Sequence, residues 1–349
     1  MAIEDAFGKP GDDPIVVAIT RGKLVESHHL VDLAVVDADG GLVGGWGAVD
    51  HPVYPRSACK PLQALPLVES GAADAFGLEA KHLALACASH AGEPVHVDTV
   101  LAWLEKIGLS DDNLECGAHY PRNEAVFRAL VKSGDELRQA HSNCSGKHTG
   151  MLTTAIHLGE PTAGYIRADH PVQRRIRAVL GELCGADLED AEHGIDGCGI
   201  PTIPINLRAL ALGITRLATP TTLAPARAAA CNRITSAMLA EPYMVAGRDR
   251  ACTAIMRAAA GDAIAKTGAE GVYMAALPGR GIGLALKARD GAGRAAEVAC
   301  VTALRHLGGL PETVADNAVA AILDTRLHNV VGLPVGDMHA QGWADRAGF

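Results

Sequence analysis

A chain of 349 residues, 48% of them hydrophobic and with a formal net charge of −9, has ample apolar material for a substantial core, as one large domain or two average ones. The acidic balance and the absence of a basic run argue against nucleic acid as a partner, so small molecules are the expected ligands. Met1 to Asp13 is polar and acidic, no stretch approaches a membrane span, and nine cysteines without an export signal are expected to stay reduced, which together predict a cytoplasmic protein with no membrane partner.

In chain order, Pro14 to Thr20 and Leu30 to Val36 are rich in β-branched residues. Asp37-Ala-Asp-Gly-Gly41 then turns the chain into Leu42 to Val49, and an N-terminal meander of strands is predicted. From Ser57 to about Arg257 the apolar spacing becomes three to four. This predicts helices over Leu62 to Glu69, Val95 to Ile107, Glu124 to Lys132, Gly146 to Leu158, Pro171 to Cys184, Asn206 to Leu217 and Pro225 to Leu239. Strands return at Gly271 to Leu277 and Gly281 to Ala288, joined by Pro278-Gly-Arg-Gly281, with helices expected at Ala295 to Arg305 and Glu312 to Asp324. The arrangement fits an α/β (α+β) fold in which both chain ends, about 14–50 and 270–305, build an antiparallel sheet and about 57–260 forms a large helical lobe. With no low-complexity linker and no internal repeat, residues 1–349 are expected to form a single domain.

Chemistry enters at Ser57-Ala-Cys-Lys60. Residues three apart share a face of a helical turn, so the lysine amine can reach the serine hydroxyl and take its proton. Lys266-Thr-Gly268 follows later in the chain, on a stretch suited to a strand. A second lysine there can hold Lys60 neutral by like-charge repulsion and bind an anionic group. A Ser-x-x-Lys tetrad followed by Lys-Thr-Gly is the order found in serine β-lactamases and penicillin-binding proteins, but His141-Ser-Asn-Cys144 stands where their Ser-Asp-Asn would be. A substrate other than a β-lactam is expected. Pro61, directly after Lys60, breaks a local helix rule of the kind that marks functional sites.

Cys144-Ser-Gly-Lys147 and Asp196-Gly-Cys198-Gly-Ile-Pro201 form a second group. Cys144 opens a predicted helix whose N-terminus should lower its pKa, and two thiolates suit a soft or borderline metal such as Zn²⁺. Lys147, His148, Asp196 or water would have to complete the ligands, and the spacing is equally compatible with two unconnected buried thiols. Ser89, in Cys87-Ala-Ser-His-Ala-Gly-Glu-Pro94, is either a second active hydroxyl or a capping serine. His90, Glu93 and His96 lack the i, i+4 histidine pair of a zinc protease helix, and Gly279-Arg-Gly-Ile-Gly283 joins two strands and so is no dinucleotide loop.

Taken together, Arg56-Ser-Ala-Cys-Lys-Pro61, Ser89-His-Ala-Gly-Glu-Pro94, His141-Ser-Asn-Cys-Ser-Gly-Lys-His148 and Asp196-Gly-Cys-Gly-Ile-Pro201 resemble the rhizobial-type L-asparaginases, over about Arg21 to Val331. The resemblance implies a β-lactamase-like fold, hydrolysis of L-asparagine to L-aspartate and ammonia, a homodimer, and a zinc ion close to the catalytic serines. It implies Ser57 with Lys60 as one serine–lysine pair and Ser89 with Lys266 as another. Cys144, Lys147 and Cys198 would be zinc ligands with a water, and Asp196 would orient that water or lysine. Arg56, His148 and Asp196 are the expected substrate-binding residues. A glutaminase, a penicillin-recognising serine hydrolase and a zinc or redox sensor on a hydrolase scaffold are the alternative readings.

Overall fold

The computed structural model describes residues 13–121, 123–311 and 326–341. The helix predicted over Glu312 to Asp324 lies outside them, as does nearly all of the polar N-terminal stretch. The chain divides into two compact units. One takes Met1–Ala58, Ile205–Thr219 and Ala254–Phe349, and the other takes Cys59–Pro204 and Pro220–Thr253.

The strands are β1 (Ile15–Arg21), β2 (Leu24–Asp37), β3 (Leu42–Trp46), β4 (Pro52–Val53), β5 (Gly194–Ile195), β6 (Pro201–Thr202), β7 (Ile205–Asn206), β8 (Ile264–Thr267), β9 (Val272–Leu277), β10 (Ile282–Ala288), β11 (Arg326–His328) and β12 (Pro334–Gln341). In the first unit the order β11-β12-β1-β2-β10-β9-β8, with β3 also beside β2, makes an antiparallel sheet from both chain ends, as expected. Val31 to Val36 on β2 are buried without alternation, because both faces of the sheet are covered. The helix Leu207–Ala218 packs on the Gly283 face, where a Cβ on Gly283 would stand 2.3 Å from Thr215 Oγ1. The helix Gly293–His306 covers the other face, with Arg294 Nε 3.2 Å from His29 Nε2.

Two sequence expectations change here. β11 and β12 went unpredicted because Gly336, Asp337 and half-exposed side chains hide any alternation, and it is pairing with β1 (Ala18 opposite His339) that makes β12 a strand. The Leu207–Ala218 helix, set within the helical middle of the sequence, belongs to the sheet unit.

The second unit is helical around one central helix, Ser145–His157, in which Ser145 through Ala155 are all buried. Gly146 permits this burial: a Cβ there would lie 2.4 Å from the Leu85 carbonyl of the helix Ala80–Ala86. Thr149, Thr153 and Thr154 satisfy their hydroxyls on the carbonyls four residues back, at 2.7–2.9 Å. That leaves Lys147 and His148 as buried polar groups whose presence local structure does not account for.

Candidate active site

In the sheet unit the Ser57 region is built by backbone geometry. Arg56 sits at φ 50°, a left-handed conformation that costs a non-glycine residue about 1–2 kcal/mol, and it opens the 3₁₀ turn Arg56–Cys59. The strained residue immediately precedes half-buried Ser57. Gly268 is forced by close approach, since a Cβ would fall 2.8 Å from the Pro55 carbonyl oxygen and 3.1 Å from the Ala58 nitrogen. The Lys266-Thr-Gly268 end of β8 is thereby seated against the turn that carries Ser57. Lys266 is 1% exposed and donates to the Thr267 carbonyl at 2.7 Å. Pro61 is less anomalous than its sequence suggests, because it occupies the first turn of the short helix Lys60–Gln63, where no amide hydrogen is needed.

In the helical unit, the fully buried Lys60 Nζ donates to Ala88 O at 2.6 Å, Ser89 Oγ at 3.0 Å and Cys144 Sγ at 3.1 Å. Lys147 Nζ, also buried, donates to Cys198 Sγ at 3.1 Å, and Cys144 Sγ, which donates to Asn143 Oδ1 at 2.9 Å, interacts with Cys198. Four of the predicted site residues, Lys60, Cys144, Cys198 and Lys147, therefore form one buried chain of contacts with Ser89 attached to it. Cys198 lies in the tight turn between β5 and β6, held by Asp196 N to Ile200 O and Gly199 N to Asp196 O, and Asp196 also receives Gly197 N on Oδ1 at 2.7 Å.

The electrostatics correct one expectation. Cys144 does stand at the N-cap of its helix, yet its thiol is pushed up to about 11, by its hydrogen bond with Cys198 and by burial. Cys198 is the sulfur held low, at about 4, by that same hydrogen bond against the effect of burial, with help from the Lys147 and Lys60 charges. Burial acts to lower Lys147, but the neighbouring Cys198 and Cys144 sulfurs outweigh it and leave the ammonium more basic than an ordinary lysine. Protons in the cluster are thus drawn toward Cys144 and Lys147 and away from Cys198. His148 is fully buried and kept neutral by burial and by Lys147. Its Nδ1 meets Tyr165 Oη at 2.8 Å, and its Nε2 has no hydrogen-bond partner among the described residues.

Within the helical unit, buried lysines joined to a serine hydroxyl and to thiols form a polar cluster of the kind that marks functional sites rather than a stabilising core. The chain belongs to the L-asparaginase II family, whose model matches residues 17–340. No curated protein matches it. Among solved structures it is similar to Mglu in its native form in 4.3 M NaCl, at 16% identity and a TM-score of 0.44, covering 80% of this chain and 60% of that one. It is also similar to the D-alanine carboxypeptidase AmpC of Burkholderia cenocepacia (14% identity, TM-score 0.39, 80% and 93% covered). A β-lactamase of Mycobacterium bovis follows (13%, 0.41, 80% and 95%). The chain spans less than two thirds of the Mglu chain's length. No helix among the described residues is long and apolar enough to cross a membrane.

Proposed function

We propose that this protein is an amidohydrolase that cleaves the side-chain amide of L-asparagine, giving L-aspartate and ammonia, with Ser57 as the attacking hydroxyl and the Lys60–Ser89 pair as the proton carrier. The observation that supports this most directly is the 3.0 Å contact between buried Lys60 Nζ and Ser89 Oγ. Strained backbone at Arg56, directly before Ser57, supports it from the sheet unit. In this reading Lys60 acts in its neutral form: as Ser57 Oγ bonds to the amide carbon, its proton passes by way of the Ser89 hydroxyl to the Lys60 amine. The same proton returns to the departing nitrogen as the C–N bond breaks, and water then hydrolyses the aspartyl ester. In the same reading Lys266 is the second lysine of the mechanism, and Arg56 and Asp196 would meet the substrate's carboxylate and ammonium.

Ammonia release from L-asparagine, with L-glutamine alongside, tests the reading. Ser57→Ala is expected to lower turnover about a thousandfold, and an intermediate trapped for mass spectrometry should carry its adduct on Ser57. An adduct on Ser89 exchanges the two serines' roles, and a preference for glutamine, one methylene longer, makes the protein a glutaminase.

The resemblance also implies zinc, and the residues present fit it. Two sulfurs in mutual contact, a lysine nitrogen 3.1 Å from one of them, and an unpartnered buried His148 nitrogen on the same helix make a soft donor set. Cys144, Lys147 and Cys198 would hold the ion, which when bound would position the substrate and its surrounding loops rather than act as the hydrolytic Lewis acid. Among the described residues no group of three or more His, Cys, Asp or Glu is arranged for a metal, so the lysine is essential to this assignment.

For the implied homodimer, the sheet unit offers a face. The β1–β2 tip lies beside the β11–β12 hairpin, with Gly22 N bonded to Val335 O at 2.8 Å. Leu24, Val25, Val330, Val331 and Leu333 on these tips are all at least 59% exposed. At roughly 60–120 Å² per apolar side chain they would supply about 300–600 Å² of the ~800 Å² that a stable partner contributes. Light scattering on the sized protein should report a dimer that Leu24→Lys with Val331→Glu converts to monomer; an unchanged dimer places the contact elsewhere.

A further inference from the structure

Glu93 takes no part in the chemistry above, and its position in the fold is unusual. It is the N-cap of the helix Pro94–Lys106, a place normally filled by a short side chain that bonds back to its own helix. Glu93 makes no such bond. Its carboxylate, on a residue only 6% exposed, reaches across to the segment 243–248. Tyr243 Oη donates to Oε2 at 2.5 Å and the Arg248 amide donates to Oε1 at 2.8 Å, with Arg248 Nε 3.8 Å from Oε2. Gly247 lies between them at φ 102°, and a Cβ there would stand 2.5 Å from Glu93 Oε1 and 3.1 Å from His96 Cε1. The segment is thus shaped to receive this carboxylate.

The same segment holds Ser89, whose amide donates to the Val245 carbonyl at 3.0 Å. His96 Nε2–H donates to the Tyr243 carbonyl at 3.1 Å, and the rings of His90, His96 and Tyr243 stack at 4.9 and 5.8 Å. On its other side the Ser89 loop is tied to the thiol loop. His90 N bonds to Asn143 O, and since His90 Nδ1 accepts from Gly92 N, its Nε2–H donates to Ser145 Oγ. The Ser89 loop is therefore clamped between the residues leading into Cys144 and the segment that Glu93 grips.

We infer that Glu93 and Tyr243 are positioning residues for the reaction: their bond fixes the 243–248 segment on the Ser89 loop and so holds the Ser89 hydroxyl at its distance from Lys60. The carboxylate is needed for its two acceptor oxygens. An amide in its place would turn a donor toward the Tyr243 hydroxyl or the Arg248 amide. Loosening the clamp leaves the substrate's binding groups in place and misplaces the hydroxyl, a fault that falls on kcat rather than KM.

The proposal rests on the asparaginase reading, and the test separates the two. Glu93→Gln, Tyr243→Phe and the double variant are compared with wild type for kcat and KM on L-asparagine and for amide hydrogen exchange of the full chain, followed by mass spectrometry of peptides spanning 87–95 and 243–248. Each single variant is expected to lose about ten- to a hundredfold in kcat with KM within about twofold, and the double variant should be no worse than the poorer single one, because the two groups act as a unit. Exchange should rise in those peptides and stay unchanged in the β2 and β10 peptides, which distinguishes a loosened clamp from general unfolding. Single variants that keep kcat within twofold of an active wild type overturn the inference, as does unaltered exchange at 87–95. A wild type that releases no ammonia defeats the asparaginase reading alone, and the exchange data then decide the clamp.

Discussion

Replacing Lys60 with methionine should lower kcat on L-asparagine by about a thousandfold or more while the protein remains folded. Methionine fills nearly the same volume, so no cavity opens and no charge is left unpaired. What disappears is the donor to Ala88 O, Ser89 Oγ and Cys144 Sγ. Losing those bonds should also cost stability, on the order of 1–3 kcal/mol for each buried acceptor left unmet, and denaturant unfolding would measure that separately. KM should change little, because a group that moves protons contributes mainly in the transition state. A Lys60→Met protein within tenfold of wild type would remove Lys60 from the chemistry and pass the role of base to Lys266.

Zinc uptake near neutral pH should release two protons per chain, and the apparent affinity should rise about a hundredfold for each pH unit over the neutral and mildly alkaline range. The sign follows from the resting cluster. Cys198, held near about 4, is already a thiolate and gives up nothing. Cys144, pushed up to about 11, must lose its thiol proton, and Lys147, more basic than an ordinary lysine, must lose one from its ammonium before either can bind. Each deprotonation opposes binding tenfold per pH unit below its pKa. Calorimetry in buffers of different ionisation enthalpy counts the protons. Lys147→Met should reduce the count to one, and Cys198→Ala should abolish stoichiometric metal on elemental analysis. Chelation of the loaded enzyme should raise KM more than it lowers kcat. Protein that takes up no zinc at micromolar metal would leave the two cysteines as a proton-sharing pair and end the metal assignment.

Much of the helical unit is readable from periodicity. The predicted Pro171 to Cys184 coincides with the helix found, and the predictions over Glu124 to Lys132 and Pro225 to Leu239 miss by a single residue at the C-terminus. Those helices carry an N-terminal proline or an Asn cap, and such signals act within a few residues. The candidate site, a proposal still, was legible as a set of motifs because each motif breaks a local rule. Lys60, Lys147 and His148 sit where burial demands apolar groups, and glycines flank Cys198. The direction of the thiol pKa shifts was not legible. A helix N-terminus favours a thiolate at Cys144, but the neighbouring Cys198, fifty-four positions later, sets the proton's place. Likewise the strain at Arg56 and the reach of Glu93 to Tyr243 leave no sequence signal, since both depend on the backbone that opposes them.

By itself, the sequence determined which residues are available and how they are locally presented: an antiparallel sheet drawn from both chain ends, a helical middle, and serine, lysine and cysteine motifs that resemble those of rhizobial-type L-asparaginases. Helix and strand period, turn glycines and motif spacing are short-range properties, and these a linear chain states outright. Only the tertiary structure decided that Lys60 bonds to Ser89 and to Cys144, that the surroundings lower Cys198 and raise Cys144, and that β12 joins the sheet against β1. Each of these depends on groups far apart in sequence meeting in a dry interior. There, the loss of water makes the identity of the nearest neighbour, rather than the residue's own chemistry, set its charge and its bonds.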